Sequence, residues 1–224
     1  MRAKSPTAAL QCLGLTTVLA IVSCSSPSAK LATNHGIAYL PLRDGMKYVY
    51  QRQCDGRFEP ITMALQFVKG DLETPEFRVD APGVGDMFLR RQSNAVVCLC
   101  ERPQARLKEL PDGELYLSTW LLDGATPGTF WEDEDTGLRT AVAGYEAVTT
   151  AAGTFDDCIK VTIEATEILW AVTEERIRRE KLSPEQEDAI CENLSFVCIR
   201  WFACGVGLVK EEHGACQMEL ISYK

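Results

Sequence analysis

The sequence predicts a mainly β protein: a single antiparallel, curved sheet domain with one helical excursion at about residues 173–193. Three observations lead to this fold class. Large apolar and polar residues alternate in several short runs, the pattern of strands that bury one face. Turn-forming dipeptides such as Pro127-Gly128 separate these runs. A charged stretch with a helix-start signal interrupts the series once.

The clearest strand pattern covers residues 158–165. One face of this run is apolar and the other carries Cys158 and polar residues, as in a half-buried antiparallel strand. The apolar set is Ile159, Val161, Ile163 and Ala165. Alternation also predicts strands over 46–51, 62–67 and 195–201. The apolar run at 95–100 is rich in β-formers, and 115–122 is apolar on both faces, as a central strand would be, so both are expected to be strands. Residues 208–210 and 218–223 are expected to form a closing hairpin.

The helical excursion carries its own start signal. Ser183 can act as the N-cap, Pro184 suits the first helical position, and Gln186 can bond back to the cap. Apolar residues are few in this stretch, so one narrow stripe is expected to pack down while the rest is solvated. The excursion is therefore expected to join two strands of one domain.

The first 24 residues predict export and lipid anchoring. Arg2 and Lys4 form a positive start, and residues 8–22 form an apolar core shorter than the roughly 20 residues of a spanning helix. Ile21-Val22-Ser23-Cys24 then resembles a lipobox, in which the cysteine thiol receives diacylglycerol through a thioether. An ordinary signal peptide cut elsewhere, with Cys24 an incidental thiol, is the alternative.

The expected organisation follows from Cys24. Residues 1–23 form a lipoprotein signal peptide, 24–36 a flexible tether and 37–224 a β-rich globular domain. The membrane is then a partner through lipid on Cys24, including palmitate. Ser25 after the cysteine favours an outer membrane, with the domain facing the periplasm or the cell surface.

The charge of the chain argues against nucleic acid as a partner. There are 23 basic and 32 acidic residues, and removal of the leader takes away two of the basic ones. The resulting net charge of −11 repels phosphate backbones and anionic lipid headgroups. Membrane contact is therefore expected from the anchor rather than from a basic face.

Eight cysteines lie in the body of the chain, an even number that favours disulfides in an oxidising compartment. These disulfide candidates are Cys54, Cys98, Cys100, Cys158, Cys191, Cys198, Cys204 and Cys216. The spacing suggests Cys158 with Cys204, Cys191 with Cys198, and Cys54 with Cys98 or Cys100. A zinc site would favour a Cys-x₂₋₄-Cys knuckle, which is missing, so neither a metal nor a cofactor is expected.

No catalytic residue is assigned from the sequence. His35 lies in the tether region and His213 in an expected hairpin turn, so neither has the context of a catalytic base. The acidic run at residues 132–137 could collect calcium, but a solvated turn fits its spacing better. The four tryptophans could line a sugar or lipid pocket, although large aromatics usually belong to the core.

Three stretches together resemble a group of uncharacterised bacterial envelope lipoproteins. They are residues 39–50, the Gly-Thr-Phe-x-Asp-Cys motif at 153–158 with Ile159 to Val161, and the Gly-Val-Gly-Leu-Val-Lys motif at 205–210 with 220–224. The resemblance implies an antiparallel β domain on a lipid anchor and brings no reaction with it. The chain departs from the group at Cys204, where such proteins usually carry proline.

The leading functional hypothesis is a membrane-anchored, non-enzymatic lipoprotein that binds or scaffolds an unknown protein or lipophilic ligand in the cell envelope. One alternative is a carrier that holds a lipophilic ligand in its curved sheet, which would need a sizeable apolar cavity. The other is an envelope hydrolase whose carboxylates converge only in the fold.

Overall fold

The computed structural model describes residues 38–70, 74–81, 87–92, 94–100, 114–195 and 197–224. Within these ranges the chain forms one antiparallel sheet of twelve strands and two helices, which confirms the predicted fold class. The expected signal peptide, the tether and Cys24 lie outside the described residues.

The first six strands are β1 Lys47–Cys54, β2 Arg57–Lys69, β3 Glu76–Asp80, β4 Met87–Gln92, β5 Ala95–Cys100 and β6 Tyr116–Leu122. The last six are β7 Phe130–Glu132, β8 Leu138–Thr150, β9 Gly153–Ala165, β10 Cys198–Ala203, β11 Gly207–His213 and β12 Cys216–Tyr223. The helices α1 Glu167–Glu180 and α2 Pro184–Ser195 lie between β9 and β10.

The first strand, β1, and the last strand, β12, lie side by side in the middle of the sheet. Strands β1 to β6 run outward to one edge, and β7 to β12 run inward from the other edge until β12 pairs with β1. All the pairings are antiparallel. Each strand therefore has its sequence neighbour beside it, except at the β1/β12 pair and at the β6–β7 connection.

The β6–β7 connection shows that the sheet is strongly curled. A flat sheet of twelve strands would separate its edges by roughly 53 Å, because adjacent strands lie about 4.8 Å apart. The chain runs from Leu122 to Phe130 in eight residue steps, which span at most about 29 Å. The two edge strands must therefore come together, as their contacts described below confirm.

The inner face of the curled sheet is packed with its own side chains. Strand register places Tyr50, Leu65, Val79, Leu89 and Leu220 on this face, and all five are almost completely buried. A second group, which includes Val96 on β5 and Val161 on β9, packs the β5 end of the sheet against strands β8 to β11. Burial of these side chains provides the main stabilisation of the fold.

The helical excursion differs from the prediction in its start and in being two helices. Thr166 caps α1 by accepting a hydrogen bond from the Leu169 amide, so the first helix begins before residue 173. Its buried residues are Leu169, Thr173 and Ile177, one narrow stripe as expected. Lys181 ends this helix in a left-handed conformation. In the described part of the chain, no helix is both long and apolar enough to cross a membrane.

The capping box at the start of α2 is confirmed. The Gln186 side chain accepts a hydrogen bond from the Ser183 amide at 3.0 Å, and the Ser183 hydroxyl accepts one from the Gln186 amide at 3.4 Å. This reciprocal arrangement satisfies two backbone donors that a helix start otherwise leaves open.

Candidate functional site

Side chains rather than a backbone ladder join the two edges of the sheet. Asp133 accepts hydrogen bonds from the Thr119 amide and the Ser118 hydroxyl, each at 2.9 Å. Asp135 accepts one from the Leu117 amide at 3.1 Å, and the Trp131 indole donates to the Thr119 carbonyl at 2.9 Å. The acidic turn after β7 thus satisfies edge groups of β6 that would otherwise be open for pairing with another chain. We call these contacts the seam.

The seam corrects the expectation that residues 132–137 form a solvated turn. Asp133 is only 6% exposed, and its carboxylate is occupied by donors from β6. Burial raises the pKa of Asp133, although the hydrogen bonds from Thr119 and Ser118 oppose that change. Among the described residues, no cluster of three or more potential metal ligands is found at this turn or elsewhere.

Replacing Asp133 by alanine is expected to destabilise the fold by about 2–3 kcal/mol, because the Thr119 amide loses its acceptor at a buried site. Asp133→Asn keeps an acceptor oxygen without a charge and is the matched control. Since the folded protein raises the pKa of Asp133, ionisation costs stability. The stability of the wild type relative to the asparagine variant should therefore fall as the pH rises through that pKa. Urea unfolding between pH 3 and pH 7 measures both effects, and equal losses in the two variants would contradict the assignment.

A polar cluster lies inside the sheet beside the seam. Arg200 on β10 and Glu211 on β11 are cross-strand partners that share the inner face with Val161, and the Arg200 Nε donates to the Glu211 carboxylate at 2.6 Å. The guanidinium lies 4.6 Å from the centre of the Trp120 ring. Burial acts to lower the pKa of Arg200, but the charge and hydrogen bond of Glu211, together with Cys198 and Cys98, outweigh it and raise the pKa. We call Arg200, Glu211 and Trp120 the interior cluster.

Buried thiols surround the interior cluster. Burial raises the pKa of Cys198 to about 11, against the opposing effect of Arg200. A side-chain hydrogen bond with Cys100, followed by burial, raises the pKa of Cys98. Both groups are therefore protonated thiols at neutral pH, whereas nucleophilic catalysis and metal binding use the thiolate. Cys98 and Cys198 are both buried, which favours a packing role for them.

Among the described cysteines one disulfide forms, between Cys54 and Cys216, which are directly opposed in β1 and β12 with their Cα atoms 4.3 Å apart. The suggestion that Cys54 meets Cys98 or Cys100 is therefore wrong. Strand order explains the error, because β1 is paired with β2 and β12 while β5 lies four places away. The bond joins the half of the sheet formed by β1 to β6 to the half formed by β7 to β12.

The other suggested pairs are not bonded, and Cys158, Cys204, Cys191 and Cys198 carry reduced thiols. Strand β10 pairs with β9 through Phe202 opposite Ile159 and ends at Ala203, so Cys204 lies one residue beyond the position opposite Cys158. Cys204 is accordingly exposed and Cys158 fully buried. Cys198 points to the inner face beside Arg200, whereas Cys191 lies on α2.

His213 occupies the last position of β11 rather than the hairpin turn. It lies opposite both Cys198 and Cys216, and Gly214 and Ala215 form the turn. His35 lies outside the described residues. The sequence patterns missed the interior cluster, although a single arginine within the apolar run Ile199 to Ala203 is a signal that could have identified it.

A polar groove of about 420 Å³ lies at the β1–β2 hairpin, next to the disulfide. It is lined by Arg52, Cys54, Asp55, Arg57 and Glu59. Arg52 and Glu59 form an ion pair at 2.5 Å across the hairpin. The groove is lined by charged side chains, whereas the hydrophobic cluster on the inner face is mainly apolar.

Comparisons with known proteins give a fold likeness and no family. No family model and no curated protein matches the chain. A predicted exported protein of Bacteroides fragilis with a YmcC-like fold is 13% identical, with a TM-score of 0.48, over 83% of this chain and 98% of that one. A predicted lipoprotein of Parabacteroides distasonis is 15% identical, with a TM-score of 0.45, over 86% of this chain and 99% of that one. At these values neither likeness carries a conclusion about function.

Proposed function

We propose that the chain is a lipid-anchored protein of the bacterial cell envelope, and that its β domain binds or scaffolds a partner without catalysing a reaction. The proposal that the β domain binds or scaffolds a partner without catalysis rests on one observation, which is that its interior polar groups are paired. Arg200 is neutralised by Glu211, and the Asp133 carboxylate is occupied by Ser118 and Thr119. Groups held in this way stabilise the sheet, and the outer surface is left for binding.

The disulfide supports the proposed compartment. Cross-strand disulfides persist in exported proteins, whereas cytosolic thiols are kept reduced. Cys54 and Cys216 are both partly buried, and their bond ties together two strands that are distant in the sequence. This agrees with the leader and with Cys24 as the lipidated residue.

The anchor is tested by replacing Cys24 with alanine in the full chain and growing the cells with labelled palmitate. The wild type is expected to incorporate label and to sediment with membranes, because Cys24 supplies the thiol for lipid attachment. The variant is expected to lose the label and to be released into the soluble fraction. Cys204→Ala removes an exposed thiol of the domain and should behave as the wild type. Equal labelling of wild type and Cys24→Ala would exclude the proposed anchor.

A further inference from the structure

One end of the sheet combines the entry of the chain with exposed cations and exposed apolar side chains. The Gly205 amide donates to the carbonyl of Ala38, the first described residue, at 2.6 Å. The backbones of Lys47 and Lys224 exchange two hydrogen bonds of 3.0 Å, so β1 begins and β12 ends at this same end. We call it the entry end; its exposed residues include Arg43, Asp44, Lys47, Phe67, Val68, Lys69, Tyr223 and Lys224.

The cations of the entry end are held close together. Lys47 and Lys224 are cross-strand neighbours, an arrangement in which like charges repel. Arg43 begins the turn that leads into β1. Among the described residues, none of these three cations is assigned to an ion pair. An anionic surface placed against this end would relieve their mutual repulsion.

Exposed apolar side chains lie at the same end of the sheet. Phe67, Val68 and Tyr223 are 45%, 46% and 43% exposed. Strand register places Phe67 and Tyr223 on the face opposite to Lys47 and Lys224. The Phe67 amide donates to the Asp44 carboxylate at 2.9 Å, which holds the exposed end of β2 beside the turn that carries Arg43. Protein surfaces that lie at the headgroup level of a bilayer typically carry both aromatic and basic side chains.

Negative charge is concentrated at the opposite end. The segment from Thr166 to Val197, which contains both helices, holds eight acidic and four basic residues. It leaves the sheet after Ala165 and returns at Cys198, the end of these strands that lies away from the entry end. Acidic groups also lie at the entry end. Asp44 is bonded to Phe67, and the exposed Asp80 lies opposite Ala64 in the row of Lys47. Glu76 pairs with Lys69 and Arg90, and Asp156 and Asp157 are exposed at the start of β9. Anions and cations are therefore mixed at the entry end, whereas acidic residues outnumber basic ones in the helical segment.

We propose that the entry end lies directly on the anionic headgroups of the membrane that holds the anchor, with the helices directed away from it. This rests on the proposed lipidation of Cys24, which precedes Ala38 by fourteen residues. Fourteen residues reach no further than about 50 Å even when fully extended, so the anchor would keep the domain near the surface, where weak contacts suffice. The net negative charge seen in the sequence is an average that conceals this oriented surface.

The test measures amide hydrogen exchange of the full, lipidated chain in vesicles of zwitterionic phosphatidylcholine, with and without anionic phosphatidylglycerol. Anionic lipid is expected to slow exchange in peptides that cover residues 43–47 and 67–69 and to leave α1 and α2 unchanged. Lys47→Glu with Lys224→Glu should reduce this protection by about tenfold or more, because each lysine near an anionic surface attracts it appreciably. High salt should have a similar effect by screening the charges.

The matched control is Arg178→Glu with Arg179→Glu, which makes the same change of charge at exposed positions of α1. It should leave the protection intact. Protection of the helices, equal effects of the two double variants, or protection that needs no anionic lipid would each overturn the proposed orientation. Retention of the wild type in purely zwitterionic vesicles tests the anchor separately, since it needs the lipid on Cys24 and not the entry end.

Discussion

Replacing Cys54 by serine is expected to lower the free energy of unfolding by about 3–5 kcal/mol, the largest effect of any single change considered for this protein. The Cys54–Cys216 bond closes a loop with a sequence separation of 162 residues, so its loss frees a long segment in the unfolded chain. Chemical unfolding followed by circular dichroism gives the change in free energy directly.

Two comparisons test whether the loss of stability is due to the disulfide itself. Reduction of the wild type should reproduce the destabilisation, and reduction of the Cys54→Ser variant should add nothing. Cys204→Ser changes an exposed thiol outside any disulfide and should have little effect. If Cys54→Ser and Cys204→Ser were equally stable, the bond would not contribute as proposed.

Glu211→Ala is expected to cost about 2–4 kcal/mol, because it leaves the Arg200 charge without its partner inside the sheet. The two side chains are 18% and 25% exposed, which keeps the expectation below that for a fully buried pair. Replacing both together, as Arg200→Met with Glu211→Leu, should recover most of the loss, since no unpaired charge remains. Thermal and urea unfolding at neutral pH measure these differences.

The ion pair between Arg52 and Glu59 provides the control for the interior pair. It has a similar geometry, but its side chains are 47% and 59% exposed. Glu59→Ala should therefore cost less than about 1 kcal/mol. An equal cost for Glu59→Ala and Glu211→Ala would mean that the interior cluster is solvated like the surface, and the proposal that its charges are held for stability would fail.

Apolar runs and regular alternation made part of this fold predictable. The apolar run at 95–100 forms β5 with the predicted bounds, and the alternation at 158–165 lies within β9. Strand β8 was missed because irregularities between Val142 and Gly144, and between Glu146 and Val148, break its two-residue period. In β10, alternation alone does not show which face of the strand points inward. Cys198 and Arg200 point inward, and Trp201 packs on the outer side between Lys160 and Lys210.

Local sequence patterns could not predict the seam or the disulfide. Asp133 lies 14 residues from its partner Thr119, and an acidic run in a turn has the composition of a solvated loop whichever role it has. Cys54 and Cys216 become neighbours only after all twelve strands have taken their order. Such contacts depend on which distant strands pair with each other, and a local residue pattern does not determine that pairing.

The strand order also has a consequence for the time at which the protein can fold. Strands β1 to β6 and β7 to β12 each form mainly from neighbours in the sequence, so each half can assemble as soon as its own residues are available. The β1/β12 pair cannot form until β12 is available, because β12 comes last in the order of the strands. Until then β1 has an open edge, a hazard for association with other chains. Completion of the sheet, and oxidation of the bond across that pair, are therefore expected as the last steps of folding.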